Sequence, residues 1–216
     1  MRTLCCNQPL YILPFDHRGF VRDEDPFDMV VMNDQIMEEL IGSFGNGDIQ
    51  AWTAASDVGF TFENAPLKPR LGLKANVTSG DDNPNNADLQ TFNPLFPKGA
   101  YFGEPALIGP ANHIDVHPQL ELALLRNLTL SANWDWFWRE STHDGIYGPA
   151  VNVIQSGKTS DARYVGNQAE VMLEWRVGRH LTFTADYAHF FAGDSLKQTT
   201  PAKDVDYFSV WATFRF

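Results

Sequence analysis

Cysteine is nearly missing from this chain. Cys5 and Cys6 are the only two in 216 residues, and as chain neighbours they cannot staple distant segments, so a disulfide framework is excluded. Long apolar runs are missing as well. Hydrophobic residues make up 44% of the chain, yet no stretch approaches the roughly 18 apolar residues of a membrane-crossing helix. Positive charge is scarce, with 16 Lys and Arg against 27 Asp and Glu for a formal net charge of -11. That balance denies the chain the basic surface that a phosphate backbone requires and excludes nucleic acid as its partner. An anionic solute stays open, because in a channel the charges lining the lumen count and the sum does not. The first residues carry neither an apolar signal core nor a small-residue cleavage site, so export is not expected from the chain as it stands.

What the chain does have is alternation. In residues 205–216, Phe208, Val210, Ala212, Phe214 and Phe216 share one strand face, and Tyr207, Ser209, Trp211, Thr213 and Arg215 share the other. From about Gly47 onward the same period of two recurs in seven segments: 49–62, 70–78, 112–125, 128–139, 163–177, 181–191 and 205–216. In the fourth, Leu128, Leu130, Ala132, Trp134, Trp136 and Trp138 alternate with Thr129, Ser131, Asn133, Asp135, Phe137 and Arg139. In the fifth, Val165, Ala169, Val171, Leu173, Trp175 and Val177 form the apolar set. The connections run short, long, short, long, short, long. Brief turns lie near Pro66, at Arg126-Asn127 and at Gly178-Arg179-His180, and long polar loops span 79–110, 140–161 and 192–204. This rhythm predicts an all-β, antiparallel, up-and-down outer-membrane β-barrel wall with short periplasmic turns and long extracellular loops.

Aromatic placement agrees with a membrane. On the apolar face, Trp52, Trp136, Trp138, Phe191 and Phe208 fall near the expected extracellular rim, and Phe60, Phe62, Trp175, Phe214 and Phe216 near the periplasmic one, as in the girdles where aromatic rings meet headgroups. The competing architecture is a soluble closed barrel that turns these rings inward and binds a ligand there.

Several stretches together resemble the C-terminal part of the alginate export family of outer-membrane porins. They are GSFGNGDIQAWTAASDVGFTFENAPLKPRLGLKA, TFNPLFPKGAYFGEPALIGPAN, WDWFWRESTHDGIYGP, ARYVGNQAEVMLEW and HFFAGDSLKQTTPAKDVDYFSVWATFRF, within residues 43–216. The resemblance implies a barrel of about eighteen antiparallel strands, so a seven-stranded chain is expected to be a partial barrel, a fragment of the whole. It also implies lipid of the bacterial outer membrane and the barrel-assembly machinery, through the terminal strand, as partners. Passive movement of an anionic polysaccharide or a related organic solute is the implied function, without catalysis. Residues 1–42 do not fit this pattern and are expected to form an irregular extension, with low order over 1–44 and a short helix over 34–41. Within it, PLYILPFDHRGF (9–20) resembles the first strand and following loop of class I aldolase-like enzymes, too short a match to carry their catalysis.

Sorting charge by face puts Arg70, Lys74, Arg139, Arg176 and Arg215 on the inner side with Asp135, Glu170 and Glu174. In the family resemblance such a mixed lumen attracts polyuronate carboxylates while acidic neighbours prevent sticking. The alternative is that the same cations pair with carboxylates on adjacent strands and only fill the wall. No cofactor and no resident metal are expected. The loop from Asp81 to Asn86 offers oxygen ligands but lacks the glycine and the closing glutamate of a calcium loop. His113, Asp115 and His117 share a strand face and have metal-ligand chemistry, though such groups more often serve as polar lumen wall. A surface lipase would need Ser56 and His189 together, and these fall on strands that are not neighbours. The reading is therefore an outer-membrane channel rather than an enzyme, with a general diffusion porin and a soluble β-barrel binder as alternatives.

Overall fold

The computed structural model describes residues 11–22, 29–44, 46–94, 99–199 and 202–216, the first two segments as paired backbone. In chain order the strands are β1 (Tyr11–Arg22), β2 (Met29–Phe44), β3 (Gly47–Phe62), β4 (Arg70–Thr78), β5 (His113–Leu125), β6 (Leu128–Trp138), β7 (Ile146–Tyr147), β8 (Val153–Gln155), β9 (Tyr164–Val177), β10 (Leu181–Ala192) and β11 (Val205–Phe214), with a one-turn helix α1 (Asp194–Lys197). All but β7 and β8 form one antiparallel sheet in which every strand pairs with its neighbour in sequence. β7 and β8 make a small hairpin inside the second long loop. Each of the seven strands predicted from alternation is present, with ends displaced by at most two residues.

The register shows why alternation locates them. Phe60 faces Leu71, Leu71 faces Leu120, Leu120 faces Ala132, Ala132 faces Val171, Val171 faces Tyr187 and Tyr187 faces Phe208. A slip of one residue in any pair would break this apolar row and bring polar groups into it. The row starts near the short-turn end of β3 and finishes near the loop end of β11. Strands tilted as in a sheared barrel wall give that oblique course.

The burial is inverted relative to a water-soluble core. Leu71, Val171, Trp175, Tyr187, Phe208 and Val210 on the outer face are exposed, whereas Asp115, Asp135, Glu170 and Asp186 on the inner face are 3% exposed or less. A soluble domain hides apolar side chains and leaves such carboxylates in water. Here the apolar band needs a nonaqueous neighbour, and no helix of the described residues is long and apolar enough to cross a membrane.

Two sequence expectations change. Val165 was expected outward with Val171 and Leu173 but is 2% exposed and packed inside against Phe102, Ile108, Phe137, Ile146, Phe190 and Ala192. The cause is a bulge. Phe137 pairs with Gly166 but Trp138 pairs with Tyr164, so Val165 is the extra residue, and beyond it the face is reversed. The second concerns residues 34–41, expected as a short helix. They lie within β2, paired with β3 from Asp34 opposite Asp57 to Ile41 opposite Gln50. Met32, Ile36, Leu40 and Phe44 recur every four residues, a spacing that a helix face and a strand face share, and pairing with β3 decides between them. The aldolase-like segment contributes β1, which pairs antiparallel with β2. The sequence placed no strand before residue 49, and residues 1–10 and 23–28 of the expected extension lie outside the described residues.

Candidate functional site

The inner face is covered at one end by the three long loops, which interlock. Asn112, buried just before β5, donates its amide to Ser141 O at 2.9 Å and Gly145 O at 2.8 Å and accepts the Ser141 N–H at 2.6 Å. Asp144 accepts from Thr91 Oγ1 and from Tyr147 OH, each at 2.6 Å. Burial, and then the bond to Asp144, push the Tyr147 phenol above its ordinary value. The third loop joins through Gln155, whose amide donates to Ser195 O at 3.0 Å, and through Ser160, whose hydroxyl donates to Gln198 Oε1 at 2.6 Å.

Arg139 is the centre of this cap. It is 1% exposed, and its guanidinium donates to Thr142 O at 3.0 Å, Asp144 O at 3.1 Å, Ser160 O at 2.6 Å and Ala162 O at 3.1 Å. A guanidinium suits this role because its planar fork aims several donors at once. Its donors are thus engaged with loop backbone, which corrects the expectation that Arg139 lines a solute path: it closes the second long loop.

The first long loop descends past this cap to the wall. Phe102 O accepts the Gln168 amide at 2.7 Å, and the Glu104 N–H donates to Glu170 Oε1 at 2.9 Å. Between them Gly103 adopts φ +107°, and a Cβ there would stand 2.6 Å from Glu170 Oε2. Only glycine combines that backbone with so close an approach. Phe102 then packs on Phe137 and His113, at ring distances of 5.6 and 4.4 Å. The loop therefore narrows the inner space at mid-wall.

Below and beside that contact lie two open hollows. One, of about 210 Å³, is lined by Arg70, Lys74, Tyr101, His117, Glu121 and Glu170, among others. The other, of about 500 Å³ beside the short-turn end, is lined by residues that include Glu104, Glu174, Arg176, Arg179, Trp211 and Arg215. The predicted lumen residues thus divide. Lys74 lies 3.7 Å from Asp57 and Arg176 2.8 Å from Glu174, both partly or well exposed pairs. Such pairs contribute little to stability. Among the described residues no ion pair or side-chain hydrogen bond engages the guanidinium of Arg70, Arg179 or Arg215. Glu170 is buried, spent on the Glu104 N–H and on Asn133 Nδ2 at 3.1 Å. Asp135 is buried beside His117 and faces neither hollow directly.

On the outer face, Trp52, Trp175, Phe214 and Phe216 are exposed, and Trp136 and Trp138 are half-buried among other rings. Trp134 stacks on Trp136 and on Phe191, each at 6.1 Å, and Trp138 meets Tyr164 at 6.0 Å. Ser56 on β3 and His189 on β10 are separated by β4, β5, β6 and β9, and His189 contacts Asp206 at 2.8 Å instead. The loop contacts at Phe102, Gly103 and Glu104 and the cation Arg179 escape a sequence reading, because loop residues carry no period. The glycine inside an otherwise bulky run, YFGEP, is the one local signal of a close approach.

No curated protein matches the chain. A profile of the family described as "Alginate export", in contrast, matches residues 33–209, and the chain belongs to that family.

Proposed function

We propose that this chain forms wall and constriction of a bacterial outer-membrane channel through which an anionic polysaccharide of the uronate type, or a related organic acid, moves passively. One observation carries the reading: Arg70, Arg179 and Arg215 present guanidinium groups, unpaired among the described residues, to hollows on the inner face of a wall whose outer face is apolar. Arginine matches carboxylate bidentately, and a cation left without an internal partner is free to meet a passing anion. Glu104, Glu121 and Glu174 lie among these cations and limit how long a carboxylate stays. Conduction needs both entry and release. Family membership supports transport over catalysis. The exposed apolar face disfavours a soluble binder.

The test is flux across liposomes that carry the protein, measured with oligouronates and with neutral oligosaccharides of equal size. Arg179→Glu with Arg215→Glu is expected to lower oligouronate flux by about tenfold and leave neutral flux unchanged. Equal flux of both solutes before and after substitution would replace this reading with general diffusion.

A further inference from the structure

The inner face holds a group of buried side chains whose polar atoms neither the cap nor the cations of the channel engage among the described residues. Asp115 and His117 lie two residues apart on β5, and Asp135 comes from the adjacent β6. One ligand atom from each lies within 4.8 Å of the others, and all three residues are buried. The register explains the meeting. Val116 faces Trp136 and Gln119 faces Asn133, which brings Asp135 opposite His117 across a stretch where Pro118 has no N–H to donate.

The group is not satisfied by its own members. Neither carboxylate oxygen of Asp135 nor His117 Nε2 has a hydrogen-bond partner among the described residues. His117 Nδ1 comes within 2.9 Å of Asp135 Oδ2, out of line for a hydrogen bond. His113, 3.2 Å from Asp115 Oδ1, is likewise unaligned, with Nε2 unpartnered. Asp115 alone is held in place: Asn76 Nδ2 reaches both its oxygens, at 2.7 and 2.9 Å. Buried carboxylates left this way are costly unless a cation completes them. Lys74, opposite His117 in the register, is drawn aside by Asp57 at 3.7 Å.

We propose that Asp115, His117 and Asp135 bind one divalent first-row transition cation of the zinc class. Two carboxylates and an imidazole supply the nitrogen and oxygen donors and the compensating charge for such an ion, whereas calcium takes six to eight oxygens. Asn76 fixes the Asp115 carboxylate in the way an outer partner orients a metal ligand. His117 also lines the smaller hollow, which gives a cation a route from solvent to the group. This site is independent of the solute that the channel carries.

The probe is Co2+, titrated into the full chain refolded in detergent. One ion per chain is expected, with visible d–d absorption and no thiolate charge-transfer band, which separates this site from Cys5 and Cys6. His117→Gln and Asp135→Asn should each weaken binding by about tenfold or more, and Zn2+ should displace Co2+. Zn2+ should also raise the thermal unfolding midpoint of the unsubstituted chain where Mg2+ does not, a readout that stands even if a variant fails to fold. Absence of bound Co2+, a spectrum dominated by thiolate ligation, affinity in both variants unchanged from that of the unsubstituted chain, or no Zn2+ effect on unfolding would overturn the proposal.

Discussion

Glu170 accepts the backbone N–H of Glu104 at 2.9 Å, and this contact ties the first long loop to the middle of β9. The loop is held there by Gly103, whose φ of +107° and lack of a Cβ let the backbone reach the carboxylate. Gly103→Val places a side chain where Glu170 and Gln168 already stand. The expected result is release of the loop from the wall, at a cost of about 1–3 kcal/mol, with higher conductance and faster proteolysis near residue 103. Single-channel recording and limited digestion check it.

Arg139 closes the second loop through carbonyls alone, so its removal leaves buried acceptors without a donor. Arg139→Ala is expected to lower stability by about 2–4 kcal/mol, measured by urea unfolding in detergent. Arg139→Lys should recover only part of the loss, since an ammonium cannot aim at carbonyls of residues 142, 144, 160 and 162 together. Selectivity for anions among the molecules that remain folded should not change, in contrast to substitution of Arg179 and Arg215.

The two faces of the sheet should respond differently to a new charge. Leu173 on β9 is exposed on the outer side, and Thr182 on β10 lines the larger hollow. Leu173→Arg is expected to cost about 2–4 kcal/mol in lipid vesicles. Thr182→Arg should cost much less and shift ion selectivity toward anions. Equilibrium unfolding from vesicles and reversal potentials measure the pair of effects.

Period two made the main-sheet strands from β3 onward legible because each has one face that must avoid water and one that must not, and a slip of one residue exchanges them. Leu128 to Trp138 could be placed almost residue by residue for that reason. Periodicity fails where something local overrides it. Val165 is turned inward by an extra residue in its strand, which no pattern in a single strand discloses. Residues 34–41 have a spacing common to helix and strand, so only pairing with β3 resolves them. For the site, the inner-face charges could be named from the sequence but their partners could not. Lys74 meets Asp57, Arg139 is consumed by loop carbonyls, and Asp135 joins His117, each through a neighbour remote in sequence or in a loop without period.

The face assignment is tested most directly by two tryptophans on nearby strands. Trp175 of β9 faces Phe183 of β10 on the apolar side, and Trp211 of β11 faces Thr184 of β10 on the polar side. In vesicles, variants that retain one tryptophan each should separate cleanly. Phospholipids with brominated acyl chains should quench Trp175 fluorescence and spare Trp211, while aqueous iodide should do the reverse. Quenching of Trp211 by brominated chains, with Trp175 open to iodide, would contradict the wall described above.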